Sequence, residues 1–197
     1  RQRFGLDIDL VVLSNNSLLH RPSVARAMNR LAAAGGRLHA KLDGGDEIAY
    51  RRVDRSAVPW SRVVENLSLA AQLAPLVIQT LICSVHGVYM DRAEAKAYAG
   101  LLDDLLERGG QIESIDLHTV ARQPPFDGVK GLPLSYLQSL AGFIEAQQPR
   151  GERVGELVQQ HRGRQRQRED QADHERARRG LTRGLREDVR EHREHQQ

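Results

Sequence analysis

Four short polar segments carry the residues that could bind a ligand, and each follows an apolar stretch typical of a β-strand. They are residues 14–16 (SNN), 43–45 (DGG), 84–87 (SVHG) and 119–125 (TVARQPP). Residues just after the carboxyl ends of parallel strands line the ligand crevice of α/β folds. The four segments therefore predict one binding edge, although residues 14–16 also suit an ordinary approach to a helix and residues 43–45 an ordinary turn.

Thiol and metal chemistry receive little support from the residue types. Cys83 is the only cysteine, which excludes an internal disulfide. It lies next to an apolar stretch, where a packed thiol is favoured over a metal ligand or a nucleophile. His86 and His118 could suggest a metal site, but neither has a second ligand at metal spacing, which argues against zinc.

The elements that must position these segments alternate between strand and helix. Apolar residues at helical spacing predict helices that begin near Pro22, Ser61 and Arg92, a short one over residues 47–52 and a last one after Pro133. The predicted strands are residues 8–13 (IDLVVL), 37–42 (RLHAKL), 76–82 (LVIQTLI) and 112–120 (IESIDLHTV). Strands that are apolar on both faces, each followed by a helix, indicate a parallel sheet covered by helices.

The basic character of the chain belongs to its last quarter. Residues 1–149 hold 16 basic and 16 acidic side chains, whereas residues 150–197 hold 13 arginines and 10 acids. With no aromatic residue and little apolar surface, residues 148–197 predict a charged low-complexity tail, either disordered or a lone helix. Translation of a shifted reading frame would produce a similar amino-acid composition. The arginines could contact RNA phosphates, but the interspersed acids and the lack of stacking groups favour a solvated tail.

The sequence gives no sign of a membrane or secretory protein. No apolar run reaches the about 18 residues of a membrane span, and no signal-peptide pattern opens the sequence. Together with the single cysteine, this predicts a cytoplasmic protein.

Five stretches resemble, in the same order, the strand ends of radical S-adenosylmethionine enzymes. Residues 12–19 (VLSNNSLL) resemble the family's TNGSLL, and residues 20–24 (HRPSV) its RPEV helix start. Residues 41–47 (KLDGGDE) resemble KLDAGDE, followed by Arg51, Arg52 and Arg55 in an RR..R pattern. Residues 77–80 (VIQT) resemble IQT, and residues 117–125 (LHTVARQPP) resemble YTV-R-P. The group related to wyosine-type tRNA modification enzymes is the most similar.

The resemblance implies a partial (β/α) barrel of about four parallel strands over residues 1–147. In that family a CxxxCxxC loop holds a [4Fe–4S] cluster, and the cluster binds S-adenosylmethionine. This chain lacks that loop, and cluster binding needs several thiolates. The resemblance thus implies a chain that begins at the third strand of the barrel, with the amino-terminal half as a missing partner.

The resemblance also assigns positions around the cofactor. It places Ser14, Asn15 and Asn16 near the methionine end, Lys41 and Asp43 near the ribose, Gln79 and Thr80 within the third strand of this chain, and His118 and Arg122 near the substrate. Since strand side chains alternate, one of Gln79 and Thr80 must point into the barrel. Asn16 stands where the family has glycine.

Two functional hypotheses follow. The first is a partial radical S-adenosylmethionine domain, inactive by itself, whose complete form would be an enzyme. The second is a non-enzymatic α/β binding module that associates with RNA or forms a homo-oligomer through an exposed edge strand.

Overall fold

The computed structural model describes residues 10–122 and 124–147. The tail predicted over residues 148–197 and the first two residues of the strand predicted over 8–13 lie outside this range. In chain order the described elements are β1 (Val11–Ser14), α1 (Pro22–Ala33), β2 (Arg37–Lys41), α2 (Glu47–Asp54), α3 (Trp60–Leu73), β3 (Leu76–Leu81), β4 (Cys83–Val85), α4 (Arg92–Glu107), β5 (Ile112–His118), β6 (Val129–Gly131) and α5 (Leu134–Gln147).

Four strands form a parallel sheet in the order β1-β2-β3-β5, which is their order along the chain. The predicted α/β class and the four parallel strands are thereby confirmed. Consecutive parallel strands joined by helices and kept as neighbours are the pattern of a (β/α) barrel segment. The carboxyl ends of all four strands consequently meet at one edge of the sheet.

The core lies between one face of the sheet and the helices. In β2, Leu38 and Ala40 are buried, whereas the intervening His39 and Lys41 are half-buried and belong to the opposite face. Buried residues of β3 and α4 complete the same cluster, with Ile78 and Leu102 among them. The alternation of burial in β2 and over residues 78–81 of β3 therefore gives this part of the sheet a helix-covered face and a more open face.

Local sequence explains where several helices begin. Pro22 opens α1, where its missing N–H costs no helical hydrogen bond. Asp46 caps α2 by accepting a hydrogen bond of 2.8 Å from the N–H of Ala49, and Asp91 caps α4 by accepting from Ala93 and Glu94 at 2.9 Å each. The carboxylates also favour the positive end of the helix dipole.

Gly45 is required by the packing of α4 on the loop after β2. A Cβ at Gly45 would lie 2.1 Å from the backbone nitrogen of Tyr98 and 2.4 Å from its Cα. No side chain fits in this space, because the obstructing atoms are backbone. The glycine that suits an ordinary turn is thus also a packing position.

A second, two-stranded sheet was not predicted. The short strands β4 and β6 pair in an antiparallel arrangement, with Ser84 opposite Lys130 and Val85 opposite Val129. The prediction that residues 84–87 form a polar loop was therefore wrong for Ser84 and Val85, which belong to β4. Three-residue strands have no periodicity to detect, and this pairing joins segments more than 40 residues apart.

Predicted boundaries agree with the structure to within one or two residues in the other elements, except that β1 begins at Val11 and not at residue 8. The strand predicted over 112–120 ends at His118, and the helix predicted over 47–52 continues to Asp54. No helix among the described residues is both long and apolar enough to cross a membrane.

Candidate functional site

Three polar side chains form a row on the open face of the sheet, near the carboxyl ends of the strands. Lys41 of β2 is in register with Gln79 of β3, and Gln79 with Asp116 of β5. Residues in register on neighbouring parallel strands share a face and lie about 4.8 Å apart. All three residues are half-buried. Within the described residues, no hydrogen-bond partner contacts the side chains of Gln79 and Asp116, which leaves both able to bind a ligand.

Lys41 is held in place by two carboxylates. Its ammonium lies 2.7 Å from Oδ2 of Asp43 and also contacts Oδ1 of Asp54. Burial lowers the pKa of Lys41, but the two carboxylates outweigh that effect and leave the pKa above its ordinary value. The two carboxylates therefore hold the protonated Lys41 in place at one end of the row and offset its charge.

Asp43 is enclosed by the protein. Its side chain has no exposed surface, its Oδ1 accepts a hydrogen bond of 2.8 Å from the N–H of Leu81, and its Oδ2 pairs with Lys41. Burial raises the pKa of Asp43 to about 6, against the attraction of Lys41 and with the added repulsion of Asp54. Both carboxylate oxygens are engaged, so Asp43 positions Lys41 and the end of β3 and has no surface for a cofactor hydroxyl.

Asn16 is likewise buried and joins three elements. Its backbone is left-handed, with a φ of 63°, which explains how it stands where the resembling family has glycine. The side-chain Nδ2 of Asn16 donates to the backbone carbonyl of Lys41 at 2.7 Å. The backbone carbonyl of Asn16 accepts a hydrogen bond from Nδ2 of Asn66 in α3. Asn16 thus connects the end of β1 to the end of β2 and to α3.

Ser14 and Asn15 organise the turn that leads out of β1. Oγ of Ser14 accepts a hydrogen bond of 3.0 Å from the N–H of Asn16. Oδ1 of Asn15 accepts from the N–H and the hydroxyl of Ser17, at 3.2 and 2.8 Å. Asn15 is exposed at the sheet edge, and its Nδ2 has no hydrogen-bond acceptor among the described residues. Of the three residues, Asn15 has the most surface available to a ligand.

Gln79 and Thr80 face opposite sides of β3. Thr80 is fully buried, and its hydroxyl lies 2.6 Å from that of Tyr98 in α4. Gln79 belongs to the open face with Lys41 and Asp116. If this open face is the barrel interior, Gln79 is the residue of the pair that points into it, and Thr80 belongs to the contact between the sheet and α4.

The two residues predicted near the substrate lie at and after the end of β5. His118 is half-buried and in register with Leu81. Arg122 is exposed and lines a cleft of about 520 Å³ formed by residues of the loop after β5 and by β6. The parallel strands thus bring Asn15, Gln79 and His118 to one edge of the sheet, with Arg122 in the loop beyond it.

Sequence reasoning missed Asp116, Asp54 and Lys130. Asp116 stands between Ile115 and Leu117 in β5, so strand alternation could have placed it on the same face as Gln79. Asp54 closes α2, and no periodicity predicts its contact with Lys41. Lys130 reaches the cleft through β6, which the sequence pattern does not predict.

The residues present do not fit a [4Fe–4S] cluster. Cys83 is the only cysteine among the 197 residues and is only 4% exposed in β4. Burial, together with the charge of Asp43, raises the pKa of its thiol and disfavours the thiolate that binds iron. Among the described residues, no group of three His, Cys, Asp or Glu side chains could hold a metal ion.

No protein-family model matches the chain, and no curated protein and no solved structure has significant similarity to it.

Proposed function

We propose that this chain is the cofactor-ribose and substrate side of a radical S-adenosylmethionine barrel, which binds S-adenosylmethionine without assembling the cluster. Its ordered strand-end motifs resemble those of that family. The observation that carries the proposal is the row Lys41–Gln79–Asp116, placed at the carboxyl edge of four parallel strands that follow chain order. Ligands bind at this edge in (β/α) barrels.

Each side chain of the row suits one part of such a ligand. The amide of Gln79 can donate and accept, and the carboxylate of Asp116 accepts hydrogen bonds from hydroxyl or ammonium groups. Two of the three N–H donors of the Lys41 ammonium contact Asp43 and Asp54, so one remains for an acceptor of the ligand. S-adenosylmethionine offers ribose hydroxyls, an ammonium group and a carboxylate, so the row is chemically complementary to it. No reaction step is assigned to this chain, because its residues do not fit the cluster.

Calorimetric titration of the chain with S-adenosylmethionine tests the proposal. We expect binding that weakens about tenfold in Gln79→Ala and in Asp116→Asn, since each removes a hydrogen-bonding group from a half-buried site. Lys96→Gln is the matched control, because Lys96 is exposed on α4. Absence of binding to the wild-type chain, or equal affinity in all variants, would overturn the proposal.

A separate arm tests the cluster. After anaerobic incubation with iron and sulfide, we expect no stoichiometric visible absorbance of a [4Fe–4S] cluster. Stoichiometric cluster binding would contradict the part of the proposal that makes this chain inactive by itself.

A second candidate function is a binding module that pairs through β1. Strand β1 is an edge of the sheet in the described part of the chain, and Val11 and Leu13 on it are 42% and 66% exposed. Exposed apolar edge strands invite pairing with another chain. Sedimentation should then show a dimer that Leu13→Lys converts to a monomer, whereas a compact wild-type monomer would exclude this alternative.

A further inference from the structure

The cleft after β5 is built by contacts from three directions. The hydroxyl of Thr119 accepts a hydrogen bond of 2.8 Å from the N–H of Leu132. The N–H of His86 donates to the carbonyl of Gly128 at 2.7 Å, and β4 pairs with β6 next to it. These contacts hold the loop after β5 close to β4 and β6. The cleft between them has a volume of about 520 Å³, which is typical of small-molecule sites.

Arg122 and Lys130 line this cleft without ion-pair partners among the described residues. Some cations of the fold are paired, as Lys41 is with Asp43 and Arg52 is with Glu94 at 2.6 Å, whereas exposed cations such as Lys96 also have no ion-pair partner among the described residues. Asp127 lines the same cleft but forms no ion pair with either cation in the described part of the chain. The cleft therefore holds two positive groups and one negative group, which gives its lining a net charge of +1.

Apolar side chains form the smaller part of the lining. Val120, Pro124 and Phe126 contribute it, and the guanidinium of Arg55 in the loop after α2 lies 5.0 Å from the centroid of the Phe126 ring. This cation–π contact brings a third positive charge next to the cleft and holds the aromatic side chain. A ligand with an anionic head and an apolar or aromatic body would complement both the cations and the apolar side chains of this lining.

We propose that this cleft binds the phosphate monoester of a small molecule, with Arg122 and Lys130 on the phosphate and the apolar lining against the body of the ligand. A phosphate monoester carries close to two negative charges at neutral pH, and arginine binds it through paired N–H donors. The cleft follows β5 beyond the edge that carries the proposed cofactor row. A role of this ligand as the substrate would rest on the proposed function, whereas the binding of the phosphate monoester does not.

Titration of the whole chain with phenyl phosphate, followed by calorimetry, tests the proposal. Phenol is the neutral control, and inorganic phosphate tests the contribution of the head alone. We expect phenyl phosphate to bind at least about tenfold more tightly than phenol, because charge-assisted hydrogen bonds are about twice as strong as neutral ones. Phenyl phosphate should also bind more tightly than inorganic phosphate, because the apolar lining contacts the ring.

Single variants identify the site. Arg122→Gln and Lys130→Gln should each weaken phenyl phosphate binding about tenfold, the double variant should abolish it, and Lys96→Gln should leave it unchanged. Equal binding of phenol and phenyl phosphate, or wild-type affinity in the double variant, would overturn the proposal. Tighter binding of an unphosphorylated RNA oligonucleotide than of phenyl phosphate, lost in the same variants, would overturn the small-molecule assignment.

Failure of this inference is distinguishable from failure of the proposed function. The double variant Arg122→Gln/Lys130→Gln should retain wild-type affinity for S-adenosylmethionine, whereas Gln79→Ala should retain wild-type affinity for phenyl phosphate. If Gln79→Ala rather than the double variant abolishes phenyl phosphate binding, the phosphate lies in the cofactor row and the cleft assignment is wrong.

Discussion

The carboxylate of Asp43 accepts a hydrogen bond of 2.8 Å from the N–H of Leu81, which ties the loop after β2 to the end of β3. The same carboxylate pairs with Lys41, so one buried side chain fixes both the strand ends and the charge at the end of the polar row. The position of Asp43 near a cofactor ribose stays a prediction, and a direct hydrogen bond to a ribose hydroxyl is disfavoured because both carboxylate oxygens are engaged. Asp43 acts through Lys41 and the backbone, and Gln79 and Asp116 are the side chains that remain open to a ligand.

Removal of the Asp43 carboxylate should destabilise the fold. In Asp43→Ala the buried N–H of Leu81 loses its acceptor and Lys41 keeps only Asp54, so we expect a loss of about 1–3 kcal/mol in the free energy of unfolding. Denaturant unfolding measures this. Asp104→Ala, on the exposed face of α4, is the control and should stay within about 0.5 kcal/mol of wild type. Equal effects of the two substitutions would contradict the role given to Asp43.

The raised pKa of Asp43 predicts a pH dependence of stability. The unfolded carboxyl loses its proton near 3.8, whereas the folded one keeps it until about 6. Between these values the folded state binds more protons than the unfolded state, so raising the pH favours unfolding. We expect the stability of wild type relative to Asp43→Asn to fall between about pH 4 and 6. A difference that stays constant or rises over this window would contradict the prediction.

The buried hydroxyl pair of Thr80 and Tyr98 should behave as a coupled unit. Tyr98→Phe leaves the hydroxyl of Thr80 buried without its partner, and Thr80→Val does the same to Tyr98, so each should cost about 1–2 kcal/mol. The double variant should cost less than the sum, because it removes both polar groups. A double-mutant cycle by denaturant unfolding measures the coupling. Additive costs, or loss of S-adenosylmethionine binding in Thr80→Val at unchanged stability, would show that Thr80 has another role.

Asn16 combines an unusual backbone conformation with a side-chain hydrogen bond, and two substitutions separate them. Asn16→Gly keeps the left-handed conformation and loses the bond to Lys41, at a cost of about 1 kcal/mol. Asn16→Ala also strains the backbone, which adds about 1–2 kcal/mol. Thermal or denaturant unfolding should therefore rank the variants as wild type, Gly, Ala. An Ala variant as stable as the Gly variant would argue against the left-handed backbone.

Gly45 and Gly100 form a matched pair for the packing of α4. In Gly45→Ala the new Cβ would meet the Tyr98 backbone, so we expect destabilisation of about 1–3 kcal/mol. Gly100 lies within α4 with open space around it, and Gly100→Ala should stabilise by up to about 1 kcal/mol through helix propensity. Opposite signs in the two unfolding experiments are the expected outcome. A neutral Gly45→Ala would show that α4 does not pack directly on the loop after β2.

The amino-acid sequence by itself determined the α/β class, the four main strands and the edge at which polar residues gather. Periods of two and of about 3.6 residues are local properties, and the carboxyl ends of parallel strands must meet. The same local reasoning predicted that one of Gln79 and Thr80 would face inward.

Only the tertiary structure decided which polar residues are enclosed and which are open. The burial of Asp43 and Asn16, the contact of Asp54 with Lys41 and the pairing of β4 with β6 all join segments distant in the chain. Such contacts depend on register and on how helices pack across the sheet, which no local pattern encodes. A carboxylate after a strand has the same sequence signature whether it faces a ligand or the N–H of its neighbouring strand.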